Sequence, residues 1–299
     1  MTHVSQFRKP GNYLTLSVGG YSIFLTLGKD QKLRGFHNVC RHRAYEVTRK
    51  ECGSTLMFGC RYHGWSYNTE GKLVKAPEFD GIDGFKKKEN GLWEIGVIVA
   101  NSGAVWVCLD TEREDGNSRP CVDDAGLQAW GFKTASKVLE HKVEGNFNWK
   151  LACEYTLSHT SRKNLTNSAG YGFPDLLDIV EDRSLLGKLT AMFSRADTEF
   201  LQLSCSASIY SIGRGASFIT VNLVPQSPVI TLVSVALYEQ GSKTSFKKSS
   251  ISGKIEQIIR SEISELEKLQ VKILEGTPIL IQGTYSLSTN VAETYILIY

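Results

Sequence analysis

The chain of 299 residues carries 34 basic and 31 acidic side chains, a formal charge of +3, so it offers no large basic field to a nucleic acid. Hydrophobic residues make up 41% and charged residues 22%, the proportions of a globular protein able to bury a core without staples. Seven irregularly spaced cysteines do not form a disulfide framework, no segment reaches the roughly 18 apolar residues of a membrane span, and MTHVSQFRKPGNY lacks the apolar stretch of a signal peptide. A cytoplasmic protein with no membrane and no nucleic-acid partner is the expectation.

Short strands are predicted first, at Tyr13–Val18 and Tyr21–Leu27 around Gly19-Gly20, then at Ile95–Val99 and Val105–Leu109. Lys86-Lys87-Lys88 reads as a solvated loop face. The polar stretch 112–120 reads as a linker, giving domains over 1–115 and 121–299. Longer strands are predicted at Phe200–Ile212, Ala216–Leu223 and Val229–Tyr238. A helix over Lys254–Leu274 carries Ile255, Ile258, Ile259, Ile263, Leu266 and Leu269 at helical spacing, with Gly276 beyond it. The fold class is therefore α+β: an all-β N-terminal domain, then an antiparallel sheet covered by a long C-terminal helix.

Between the early strands lie Cys40-Arg41-His42 and Cys60-Arg61-Tyr62-His63. Two thiolates and two imidazoles suit a structural zinc ion. Each loop, however, gives one Cys and one His, whereas zinc knuckles usually pair like with like. The arrangement also suits a [2Fe–2S] cluster with one iron on Cys40 and Cys60 and the other on His42 and His63. Gly59 and Gly64 flank the second loop and allow a tight backbone whose amide N–H groups approach the sulfurs. Without a GxGxxG stretch after a strand, a flavin or nicotinamide site is expected on another protein.

His37-Asn38-Val39-Cys40-Arg41-His42-Arg43, Cys60-Arg61-Tyr62-His63-Gly64-Trp65-Ser66-Tyr67 and Gly71-Lys72-Leu73 resemble the Rieske domain of non-haem iron oxygenase α subunits, nearest the choline monooxygenase branch. The resemblance implies a helix-grip catalytic domain, electrons from an NAD(P)H-dependent reductase or a ferredoxin, and O2-dependent oxidation of a small organic molecule. It also implies a homotrimer or hetero-oligomer, and a mononuclear Fe(II) on two His and a carboxylate. Asn148-Trp149-Lys150 and Glu154 match the start of the family's iron-site segment. Aligned without gaps, the family's histidines fall on Ser161 and Thr166 and its bridging carboxylate on Ser158. A two-residue deletion instead gives His159, Asn164 and Thr156. The third ligand position is Glu262, five before Glu267 and eight before Gln270, and it lies on the apolar face of the predicted helix.

Of the six histidines only His141 and His159 fall in the second half, so one local segment cannot supply two imidazoles. His159, Asn164 and Glu262 are the candidates for an altered iron site. The competing expectation is an electron-transfer or scaffold subunit that keeps the cluster, lacks the mononuclear iron and serves a catalytic partner. Arg41, Arg43 and Arg61 either solvate the cluster loops or attract an acidic redox partner.

Overall fold

The computed structural model describes residues 1–79, 81–109, 124–152, 198–204, 206–241 and 248–275. The N-terminal strands are β1 (Thr2–His3), β2 (Asn12–Val18), β3 (Tyr21–Leu27), β4 (Leu33–His37), β5 (Cys52–Ser54), β6 (Met57–Gly59), β7 (Ser66–Asn68), β8 (Leu73–Lys75), β9 (Glu94–Val99) and β10 (Ala104–Cys108). Seven of them form an antiparallel sheet in the order β1-β10-β9-β4-β3-β2-β5, while β6-β7-β8 make a separate three-stranded sheet. Gly19 and Gly20 turn β2 into β3 with φ of 59° and 81°, the left-handed pair that a two-residue hairpin needs. The two sheets enclose Phe24, Phe36, Phe58, Tyr67 and Leu92, and Cys40 and Cys60 belong to the same core.

Beyond α1 (Asp124–Ala129), strands β11 (Ala135–Gly145), β12 (Thr198–Ser204), β13 (Ala207–Ile212), β14 (Ser217–Ser227) and β15 (Ile230–Gln240) build a sheet in the order β11-β15-β14-β13-β12. Helix α2 (Lys248–Leu274) covers one face of it. Ile255, Ile259, Ile263 and Leu266 form the buried stripe and meet Tyr210, Ile219, Val221, Val235 and Leu237 of the sheet. Burial of each such side chain contributes about 1.5–3 kcal/mol, so packing rather than propensity fixes this helix. Tyr238, Phe218 and Ile209 face the other way, onto Phe132, Leu127 and Ala104, the first residue of β10.

His3 is enclosed at this seam. Its ring lies 4.6 Å from Phe132 and 5.6 Å from Tyr238, and its Nδ1 accepts the Ser5 amide at 3.1 Å. Gly103 must lack a side chain there, because a Cβ would come within 2.7 Å of His3 Nε2. Polar ties run from Ser17 to Gln226 (2.9 Å), from Arg8 to Ser136 (3.3 Å) and from Lys142 to Glu51.

The α+β class expected from sequence is the one observed, with two corrections. Phe200–Ile212 is not one strand: it folds back as β12 and β13, with Ser204 opposite Ala207 and Ser204 Oγ accepting the Ser206 amide at 3.2 Å. A serine turn inside a hydrophobic run leaves little compositional trace. The helix also begins six residues earlier than predicted. Gly253 sits on its exposed side, where a Cβ would meet nothing within 4 Å, and its propensity cost of about 1 kcal/mol is tolerated. The linker over 112–120 and Gly276 lie outside the described residues.

Candidate metal centre

Two loops bring Cys40, His42, Cys60 and His63 to one end of the N-terminal sheets, and they share one hydrogen-bond pattern. The Cys40 amide donates to the Tyr45 carbonyl (2.8 Å), and the Ala44 amide donates back to the Cys40 carbonyl (2.9 Å). In the second loop Cys60 donates to Trp65 (2.8 Å) and Gly64 donates back to Cys60 (3.0 Å). Both turns need a left-handed residue at the fourth position after the Cys. Gly64 supplies it at φ 74°, and Ala44 does so at φ 55° despite its Cβ. Gly59, expected to help form this turn, is an ordinary β6 residue paired with Ser66.

Asn38 anchors the first loop and is completely buried. Its Oδ1 accepts the Val47 and Thr48 amides at 3.1 and 2.9 Å, while its Nδ2 donates to the Thr48 carbonyl (2.7 Å) and Ser22 Oγ (3.0 Å). The side chain thus ties β3, through Ser22, to the returning arm of the loop at Val47 and Thr48. Tyr67 anchors the other side: its hydroxyl accepts the Arg41 amide at 3.1 Å and lies 3.3 Å from Cys40 Sγ. With one lone pair so used, the phenol proton is free to point at sulfur.

Cys40 and Cys60 are 2% and 3% exposed. Burial pushes the Cys60 thiol up, opposed by the amides of Tyr62 and His63, with Cys40 beside it adding to the rise. Burial likewise holds His42 below the usual imidazole range, aided by His63 and Arg43, and so favours the neutral ring that a metal requires. The His42 and His63 rings stand 4.5 Å apart, nearly perpendicular. His42 Nδ1 is buried and has no hydrogen-bond partner among the described residues. Two buried sulfurs on one side, two imidazoles on the other and an unsatisfied ring nitrogen fit a two-iron cluster in which each iron takes only two protein ligands. Among the described residues no three His, Cys, Asp or Glu side chains gather around a single point.

Arg43 and Arg61 are exposed on the loops, as is His63. Arg41 turns away instead: its guanidinium lies 4.1 Å from the Trp93 ring and donates to the Gly91 carbonyl at 2.8 Å. Tyr62 covers His63 at 3.9 Å and stands half exposed.

In the second half, Glu262 is 4% exposed on the apolar stripe of α2, as its helical position predicts. His159, Asn164, Ser161, Thr166, Ser158, Thr156 and Glu154 lie outside the described residues. His141 faces α2 with its Nε2 3.0 Å from Ser252 Oγ. The companions of Glu262 in the sequence pattern have a visible task. Glu267 accepts the Asn146 amide at 2.8 Å and Gln270 accepts the Asn148 amide at 3.0 Å, while Thr231 donates to the Phe147 carbonyl at 2.7 Å. Asn148 Oδ1 then accepts the Lys150 amide at 2.9 Å, capping the helical turn that begins at 149. The Asn-Trp-Lys segment is therefore seated directly on α2. In the sequence Glu267 and Gln270 stand only as markers of spacing.

The Rieske [2Fe–2S] domain family matches residues 1–86. The chain is 35% identical over 168 residues to the large oxygenase component of a naphthalene 1,2-dioxygenase system from Ralstonia sp., covering 52% of this chain and 36% of that protein. It is 31% identical over 150 residues to the oxygenase subunit of a glycine betaine monooxygenase from Pseudomonas aeruginosa, covering 48% of this chain and 33% of that protein. The matched stretch thus spans about a third of these curated relatives. The structure of a quaternary ammonium Rieske monooxygenase superposes over 93% of this chain and 79% of that one, with a TM-score of 0.74 at 20% identity, a likeness of fold. The N-terminal part of the chain is a Rieske [2Fe–2S] domain. Beyond it, the likeness to the large components of Rieske oxygenases covers about half of this chain in sequence and most of it in fold.

Proposed function

We propose that the chain takes electrons singly from a reductase or ferredoxin and passes them toward O2-dependent oxidation of a small organic substrate. The observation that carries this reading is the convergence of buried Cys40 and Cys60 with His42 and His63, one imidazole nitrogen being left without a partner. Cys40 and Cys60 would hold one iron of the cluster, and His42, through Nδ1, and His63 the other. Such a cluster carries one electron, and its neutral nitrogen ligands raise its potential above that of an all-Cys centre. Burial favours the neutral form of His42, and Tyr67, Asn38 and the paired turns fix the loops that carry the sulfurs. The exposed edge at His63 is where an electron crosses, with Arg43 and Arg61 offering positive charge to an acidic redox partner.

The donor set for a mononuclear iron does not match the two-imidazole pattern. Glu262 is a buried carboxylate, but His141 is engaged with Ser252, which leaves His159 and Asn164 to complete an altered site. No step is assigned to that iron. This shortage of imidazoles favours a second reading, an electron-delivering subunit that works with a catalytic partner and could itself form part of a homotrimer or hetero-oligomer. Iron and acid-labile sulfide analysis decides between them. About two irons with sulfide, and a further iron that is lost on Glu262→Ala, support the self-sufficient oxygenase. Two irons with none taken up beyond them support the subunit reading. A colourless zinc protein refutes both.

A further inference from the structure

Beside the orphan nitrogen of His42 lies a second one. Trp65 is 2% exposed, and its indole Nε1 is buried with no hydrogen-bond partner among the described residues. Its ring stacks on His42 at 5.1 Å with only 10° between the planes. Phe79 closes the edge of both rings, 5.2 Å from each, and Phe85 meets Trp65 at 5.6 Å. The indole therefore sits in an apolar wall whose rings offer no conventional acceptor. An indole N–H can only donate, and a buried donor left unmade costs about 1–3 kcal/mol when nothing accepts it. Buried orphans call for an acceptor that the protein chain does not itself supply.

His42 Nδ1 and Trp65 Nε1 are orphaned on stacked, adjacent rings, so one missing group accounts for both. A metal cluster at the ligand residues gives the imidazole its iron and gives the indole a sulfur acceptor. We propose that Trp65 touches the cluster, its Nε1–H donating to a cluster sulfur, and that this bond raises the reduction potential. The inference rests on the Rieske reading above and extends it to a residue outside the ligand set. The sign follows from charge. One-electron reduction by the reductase adds negative charge to the cluster, and a fixed N–H donor favours the more negative state. A second consequence is geometric: the stack holds the His42 plane, so removing the N–H while keeping a ring separates the two effects.

Trp65→Phe is that variant. Measured on the whole chain with its cluster loaded, it should retain labile sulfide and visible absorbance while its midpoint potential shifts to lower values. In the wild-type protein, labelling tryptophan with 15N at the indole nitrogen should give a nitrogen coupling in the pulsed electron–nuclear resonance spectrum of the reduced cluster. That second measurement needs no variant, so it decides alone if Trp65→Phe fails to fold. An unchanged potential at full cluster content, or the absence of an indole 15N coupling, overturns the proposal and assigns the N–H to a buried water. Wild-type protein without labile sulfide would instead refute the Rieske reading itself, an outcome distinct from either.

Discussion

Asn38→Ala removes four hydrogen bonds at once from the base of the first cluster loop. The lost bonds to Ser22 and to the Thr48 carbonyl are ordinary neutral ones, each about 0.5–1.5 kcal/mol net. The Val47 and Thr48 amides are worse affected, because both residues are buried and Asn38 Oδ1 is the acceptor for both N–H groups. Each unmade donor costs about 1–3 kcal/mol, and relaxation recovers part of it, so a loss of about 3–5 kcal/mol is expected. Asn38→Asp is the informative companion. It keeps an acceptor for both amides but sets a second oxygen against the Thr48 carbonyl, so it should lose the Nδ2 bonds and gain repulsion. Denaturation in urea gives the stability, and decay of the cluster's visible absorbance with time gives the hold on the metal. Both variants should shed the cluster faster than wild type. A loss under about 1 kcal/mol for Asn38→Ala, with an unchanged cluster lifetime, would refute the assignment of Asn38 as the anchor of this loop.

Burial holds His3 at about 4, below the 6.5 of an exposed imidazole, so the unfolded chain binds its proton more readily than the folded one. Its contribution is therefore intact above pH 6.5 and declines as pH falls toward 4, by up to about 3 kcal/mol. The difference in urea midpoint between wild type and His3→Gln should change across that window and stay level above it; a difference independent of pH contradicts the buried neutral ring. Gly71 has φ 73°, and a Cβ there would lie 2.4 Å from the Phe36 ring, so Gly71→Ala should cost more than the roughly 1 kcal/mol of strain alone, read as a lowered melting temperature. Ile259→Ala opens a cavity between α2 and its sheet and should cost about 2–5 kcal/mol in urea, leaving the cluster spectrum unchanged because the cluster loops belong to a different core.

The two loops stood out in the sequence because metal chemistry demands particular side chains at short spacing, as in the candidate ligands Cys40, His42, Cys60 and His63. Strands β2, β3 and β9 followed from their apolar runs and from Gly19-Gly20, whereas β1 and β4–β8, two to five residues long, are too short to show a period. The burial of Glu262 followed from helical phase, since it lies three and seven residues from Ile259 and Ile255. Other features have no local signature. Ala44 takes a left-handed turn that its residue type disfavours, and only the match with the second loop explains it. Asn38 looks like any loop asparagine until Ser22 and Thr48 meet it from distant segments. The hairpin between β12 and β13 hides inside a hydrophobic run, and the bonds of Glu267 and Gln270 to Asn146 and Asn148 span more than 120 residues.

The most direct test of the central claim uses the reduced protein with histidine labelled by 15N. The account predicts labile sulfide, about two irons and strong couplings from two imidazole nitrogens, with one of those couplings lost in His42→Cys and the other in His63→Cys. Iron without imidazole coupling, or zinc in place of iron with no labile sulfide, would contradict it.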